Sequence, residues 1–324
     1  MKIFGSPASP DVSMPPASQV EAAHSSVARG MALMIVAMLI LPIMDGIAKL
    51  LSTQYGVTPG QVTFGRFLVQ ACLLAPIIVL LLGVRGLLPK KLMVNLMRGA
   101  IMGTAVLLFF TALRYMPIAD AIAVFFIEPF ILTILSVLFL KEVVGWRRTL
   151  AMIAGFLGAL LIVQPSYAVF GPVSLLPMGT ALLFAIYLLI TRKVAGDDNP
   201  LTMQFAAGVG GSITLFAIMM LGNTLGVENL STPDVPEFGI RWVLIFSLGA
   251  LAAGGHLMVV QAFRMASASI LAPFQYLEII GATIIGFALF GEFPDAVKWV
   301  GIAIIVSSGI YLYFRGRKVG GAAE

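Results

Sequence analysis

Charge is scarce in this chain. Of its 324 residues only 11% are Asp, Glu, Lys or Arg, against 60% hydrophobic, and the mean hydropathy is +1.02. A soluble domain carries about 25% charged residues to solvate its surface. This chain cannot cover itself with polar groups, so its solvent is largely lipid. Cysteine is nearly absent: Cys72 stands alone in an apolar stretch, which excludes a disulfide framework and a cysteine metal site. Histidine is as sparse, with His24 near the N-terminus and His256 in an apolar segment. The sequence therefore predicts no metal centre and no cofactor. A formal net charge of +5 does not signal a nucleic-acid partner. No Gly-Lys-Ser/Thr phosphate loop occurs, so ATP-driven pumping by this chain alone is not expected. A His-Glu-x-x-His helix is missing too, and Asp45 is the only aspartate deep in an apolar run, where an intramembrane aspartyl protease needs two. The chain is not read as an enzyme.

Long apolar runs fill the space left by charge. A bilayer core of roughly 30 Å needs about 20 apolar residues per helix. That length fits ten times, at 31–52, 62–82, 95–114, 118–140, 148–165, 174–192, 201–222, 241–263, 269–290 and 296–314. Residues 1–30, rich in Pro, Ser and Ala, read as an irregular tail. They lack a basic stretch leading directly into an apolar run with a small-residue cleavage site. The run from Met31 is thus expected to stay in the protein as a helix. With the N-terminus in the cytoplasm, fifteen basic residues fall on the cytoplasmic side and only Arg114, Arg241 and Lys298 on the other. That bias supports ten spans with both termini inside.

The charges also repeat. Glu128 and Glu278 stand 150 residues apart, and Arg114 with Arg264 and Glu142 with Glu292 share the same offset. Ten spans divided by this register give five per half. Five is odd, so the second half enters the membrane upside down relative to the first. The expected architecture is an all-α membrane protein of ten transmembrane helices built as two inverted five-helix repeats, 31–165 and 174–314, between cytoplasmic tails at 1–30 and 315–324. Inverted repeats are a recurrent design of secondary transporters, with binding near the midplane where the repeats meet.

Several local stretches carry a further likeness. Asp45-Gly46-Ile47-Ala48-Lys49 closes the first span, and Phe64-Gly65-Arg66-Phe67 opens the second. Ala112-Leu113-Arg114-Tyr115 precedes Ala119-Asp120-Ala121, Leu140-Lys141-Glu142 ends the fourth span, and Phe290-Gly291-Glu292 ends the ninth. In their order and spacing the chain resembles the drug/metabolite transporter superfamily, in particular the EamA-type ten-helix carriers, over about 31–314. The resemblance implies two EamA repeats, solute movement by alternating access and residence in the bacterial cytoplasmic membrane. It implies no single substrate, because that superfamily handles vitamins, amino acids, nucleotide-like metabolites and drugs. The second half departs from the first: no arginine recurs for Arg66 and no acid for Asp45.

A charge near a helix centre costs about 2.5–3.5 kcal/mol on insertion scales. Glu128 and Glu278 occupy the middle thirds of their spans, so each must meet a partner, water or a solute. They are candidates for substrate binding or proton coupling; the alternative is a pair of hydrogen-bonded acids that lock the fourth span to the ninth. Pro129 and Pro273 fall beside them and can open the helices towards a cavity. Asp45 and Lys49 lie four apart on one helical face, with Arg66 entering the next span near the same side. Together they form either a cationic site for a carboxylate or phosphate or an internal ion pair joining two helices. His256 is a candidate proton relay or a packing residue. Phe126 and Tyr276 are register mates that can wall a flat solute or fill space; each lies two positions before its glutamate, on another helical face. Arg114, Arg264, Glu142 and Glu292 read as helix-end stabilisers. Gly99-x-x-x-Gly103 and Ala154-x-x-x-Gly158 are close-approach faces, and Gly208, Gly210 and Gly211 can permit bending.

The leading reading is a secondary carrier for a small polar or amphipathic metabolite, of the riboflavin or S-adenosylmethionine type or an amino acid. Its partners are that solute and lipid, with coupling by protons, by exchange or by the solute gradient alone, in a monomer or a homodimer. A non-transporting scaffold or sensor, or an intramembrane enzyme, is the alternative.

Overall fold

The computed structural model describes residues 17–140, 150, 153–154, 157–158, 161, 167–194, 198–230, 239–265, 271, 274–275, 277–297, 299–304 and 306–307. Among them there is no strand. Among the described residues nine α-helices are found: α1 Ala17–Thr53, α2 Pro59–Leu82, α3 Leu92–Leu113, α4 Ile118–Phe125, α5 Glu128–Leu140, α6 Leu176–Val194, α7 Pro200–Thr224, α8 Ile240–Met265 and α9 Leu277–Phe290. Seven stretches of the described residues are long and apolar enough to cross a membrane: Ser26–Thr53, Pro59–Leu82, Leu92–Leu113, Ile118–Phe139, Tyr167–Thr191, Pro200–Thr224 and Ile240–Ala262. They correspond to the first four and the sixth to eighth expected spans. Leu277–Phe290 is a shorter apolar helix. The expected span at 148–165 falls largely outside the described residues, as do parts of those at 269–290 and 296–314.

Helix starts follow local chemistry. Thr58 caps α2, its hydroxyl accepting from Gln61 N–H at 3.3 Å while Gln61 Oε1 accepts from Thr58 N–H at 3.2 Å. Pro59 occupies the first turn, where its missing N–H leaves nothing unsatisfied. Asn199 and Pro200 begin α7 in the same manner, with Asn199 Oδ1 accepting from Leu201 N–H at 3.0 Å. At the N-terminus the outcome differs from the sequence expectation. Residues 17–30, read as irregular tail, are helical and continuous with the first span. Their Ala, Val and Glu add to a helix already nucleated, and each further residue gains a hydrogen bond.

The helices form a ring. α1 lies against α8 and α9; α8 packs on α2, α2 on α7, α7 on α3, α3 on α6, and α6 on α4 and α5; α4 meets α9 and closes the circle. The α3–α7 seam is the tightest. A Cβ on Gly99 would stand 2.3 Å from the Ala207 carbonyl oxygen, and one on Gly210 would stand 2.2 Å from that of Leu96. Backbone therefore touches backbone there, as small-residue faces in membranes allow. Gly208 and Gly211 let α7 approach α2 as well, against Ala71 and Phe67. Large apolar side chains such as Leu80, Ile213, Phe246 and Phe287 point outward, while Asp45, Arg66, Arg98 and Glu128 are buried. Polar groups lie inside and apolar ones outside, as a lipid solvent requires.

Candidate functional site

Inside the ring is a cavity of about 970 Å³, its open mouth included. Six of the eight residues singled out in the sequence line it: Asp45, Arg66, Phe126, Glu128, His256 and Glu278. They come from α1, α2, the α4–α5 junction, α5, α8 and α9, so no pair of sequence neighbours could have revealed the assembly.

The α4–α5 junction explains two of the positions. The fourth span is one apolar stretch in the sequence but two helices in space, separated by a turn at Phe126–Ile127. Phe126 N–H donates to the Ile122 carbonyl at 3.0 Å and closes α4. Phe130 N–H then donates to the Ile127 carbonyl at 3.1 Å and opens α5. Pro129 has no N–H to give, so the break suits a proline in the first turn of a new helix. Glu128 thus sits at the N-terminal end of a half-helix, where the helix dipole favours negative charge. The turn also changes the side-chain register. Phe126, expected on another face from Glu128, joins it on the cavity wall. Glu278 stands in the first turn of α9.

Arg66 is only 1% exposed, and its Nε and Nη1 have no hydrogen-bond partner among the described residues. Its guanidinium carbon lies 4.8 Å from the Phe67 ring centroid, so the aromatic face meets part of the charge. Asp45, 3% exposed, interacts electrostatically with Arg66, yet no hydrogen bond or ion pair joins the two. His256 Nδ1 is 3.0 Å from the Ala252 carbonyl. A carbonyl only accepts, so Nδ1 carries a proton and Nε2 is the ring atom left for the cavity.

Lys49 does not line the cavity. Its ammonium pairs with Glu292 and donates to the Met116 carbonyl at 2.8 Å. Glu292 Oε2 in turn accepts from Ile118 N–H at 3.2 Å. This lock joins the end of α1, the start of α4 and the residues after α9. The expected Asp45–Lys49 neutralisation is absent for that reason. Tyr276 lies outside the described residues, as do Glu142 and Pro273. The Arg114–Arg264 pair diverges: Arg114 bonds Glu228 at 2.9 Å and Asn229 at 2.8 Å, whereas Arg264 is exposed and reaches Gln261 at 3.4 Å.

Sequence reasoning missed Thr180, Phe184 and Gln275. Thr180 and Gln275 line the cavity. Phe184 packs edge-on against Phe125 at 5.5 Å, and Phe125 meets Phe109 at 6.1 Å, giving a continuous aromatic wall. Behind Arg66 and His256 lies a smaller crevice of about 210 Å³ with Gln70, Tyr187 and Gln204 in its lining. Arg98, counted in the sequence only as a cytoplasmic positive charge, is 2% exposed. It donates to Asn95, Thr191 and Tyr187 at 2.7, 2.9 and 3.3 Å. Its only sequence signal was Asn95 three residues earlier on the same helix.

The chain is 30% identical to the riboflavin transporter of Vibrio cholerae over 283 residues, covering 86% of this chain and 91% of that protein. It is 26% identical to the S-adenosylmethionine uptake transporter of Rickettsia prowazekii, with 80% and 84% covered. A solved crystal structure superposes with a TM-score of 0.63 at 17% identity, over 91% of this chain and 99% of the other, which shows a shared fold. The EamA-like transporter family matches residues 28–164 and 172–315. A ring of apolar helices around a cavity that shelters charged side chains, in a chain that matches this family over most of its length, makes the protein a multi-pass membrane protein of the EamA-like transporter family.

Proposed function

We propose that this chain is a secondary carrier that moves a small, ring-bearing polar metabolite across the cytoplasmic membrane by alternating access. Cofactor-like solutes of the riboflavin and S-adenosylmethionine type lead the candidates, since relatives at 30% and 26% identity are named for them; amino acids follow. The observation that carries the reading is the central cavity, which combines Asp45, Arg66, Glu128 and Glu278 with the wall of Phe109, Phe125, Phe126 and Phe184. A lipid-embedded protein has no structural need for four ionisable groups around one space. The wall takes a flat group, and the charges take its polar end. Glu128, at the start of a half-helix, is the working acid, and Glu278 its counterpart from the other half.

Ten spans in two inverted repeats, 31–165 and 174–314, with both termini cytoplasmic, complete the proposal. Exchanging α1, α2, α3 and α4/α5 with α6, α7, α8 and α9 maps each principal helix contact onto another. The pair α1–α8 becomes α6–α3, α1–α9 becomes α6–α4/α5, α3–α7 becomes α8–α2, and α2–α7 and α4–α9 return to themselves. This pairing supports the repeat reading, in which the cavity lies on the axis between the halves and rocking would expose it alternately.

Uptake by the full chain in proteoliposomes tests the function. The panel holds riboflavin, S-adenosylmethionine and amino acids, with and without a pH gradient. Saturable uptake of one class is the expected result. Should no solute move and none raise the melting temperature, the carrier reading is wrong.

A further inference from the structure

We infer that Asp45 and Arg66 form a clamp for a zwitterion: the ammonium of an amino-acid-like head group binds Asp45 and its carboxylate binds Arg66. This rests on the carrier reading and narrows its substrate class. Both side chains are almost fully buried, 3% and 1% exposed, and both face the cavity. They interact electrostatically, yet they are not bonded to each other. Two buried opposite charges that could neutralise one another are instead held apart, with two guanidinium nitrogens left without a hydrogen-bond partner among the described residues. Leaving a buried charge unpaired is unfavourable, so such an arrangement fits a site completed by its ligand.

The neighbours keep the pair open. Lys49, the other cation on the helical face of Asp45, is engaged by Glu292 and the Met116 carbonyl. The Phe67 ring lies against the Arg66 guanidinium. His256 Nδ1 is taken by the Ala252 carbonyl. A neutral solute would leave both charges unanswered, and a simple anion would satisfy Arg66 only. A zwitterion satisfies both at once. Its carboxylate takes the charge-assisted bonds that a guanidinium offers, and the flat remainder lies along Phe125 and Phe184.

The test uses purified full-length protein in liposomes and varies the solute first. The probes are S-adenosylmethionine and tryptophan, each with its decarboxylated counterpart, and riboflavin as a ring without a zwitterion. The expected result is saturable uptake of a zwitterion, with the decarboxylated form at least about tenfold poorer, because the site's buried donors are then left unpaired. Asp45→Asn and Arg66→Gln should each lower zwitterion uptake by a similar factor, with folding checked by melting temperature. The solute arm needs no variant and stands where a variant does not fold. If riboflavin moves and neither zwitterion moves or competes, or if the decarboxylated forms move as well as their parents, the clamp is overturned and the carrier reading stands. If nothing moves and nothing binds, both fall.

Discussion

At the residue scale, the molecule separates charges that bind from charges that fasten. Lys49 and Glu292 fasten. Removing one partner of a buried ion pair costs about 3–5 kcal/mol, and the Glu292 side chain is 21% exposed, so about 1–3 kcal/mol is expected after screening. Lys49→Met and Glu292→Gln should each lower the melting temperature by several degrees. The double variant should fall less than the sum, since it strands no charge; strict additivity in a double-mutant cycle would show that the two do not act as a pair. In the proposed carrier, Glu128 binds the solute or couples its movement. Glu128→Gln is expected to lower uptake at least about tenfold, roughly 1.4 kcal/mol in the barrier, with a melting temperature close to that of the parent. Glu278→Gln should do less. Equal losses would refute the unequal roles assigned to them. All the participating residues were legible in the sequence as charges inside apolar runs or, for Glu292, at the end of one. Their division was not, because Asp45 and Lys49 are one helical turn apart and only the fold sends one to the cavity and the other to Glu292.

At the element scale, glycine spacing and a proline carry the architecture. α3 and α7 approach to backbone contact through Gly99 and Gly210, and added methyl groups there meet carbonyl oxygens at 2.3 and 2.2 Å. Carbonyls on packed helices cannot rotate away, so Gly210→Ala should destabilise by about 1–3 kcal/mol through overpacking. Gly254 offers a control in the eighth helix, since a Cβ there meets nothing within 4 Å. Gly254→Ala is expected to stay within about 0.5 kcal/mol of the parent. Thermal melts in one detergent compare the two, and equal effects would contradict the packing account. The glycine pattern was readable as a close-approach face, but its partner helix was not. The break at Phe126–Ile127 was half readable: Pro129 announced a disturbance, while the full turn, and with it the place of Phe126 in the cavity, depends on what α4 and α5 pack against.

At the scale of the whole molecule, topology is the testable quantity. Ten spans with both termini inside predict that a fluorescent protein fused after Glu324 fluoresces in cells. They also predict that alkaline phosphatase inserted near Val227 is active outside. The opposite pattern would reverse the orientation, and with it the inverted-repeat scheme. By itself the sequence determined the lipid solvent, the helical class, the duplicated register and the identity of the charges that have to be sheltered. These follow from composition and periodicity, which local chemistry enforces wherever the chain goes. Only the tertiary structure decided which helices are neighbours in the ring, that Asp45 and Arg66 face one space without touching, and that Lys49 is taken by a residue 243 positions away. Such pairings depend on how whole helices pack, and packing sums many weak contacts that no stretch of sequence contains.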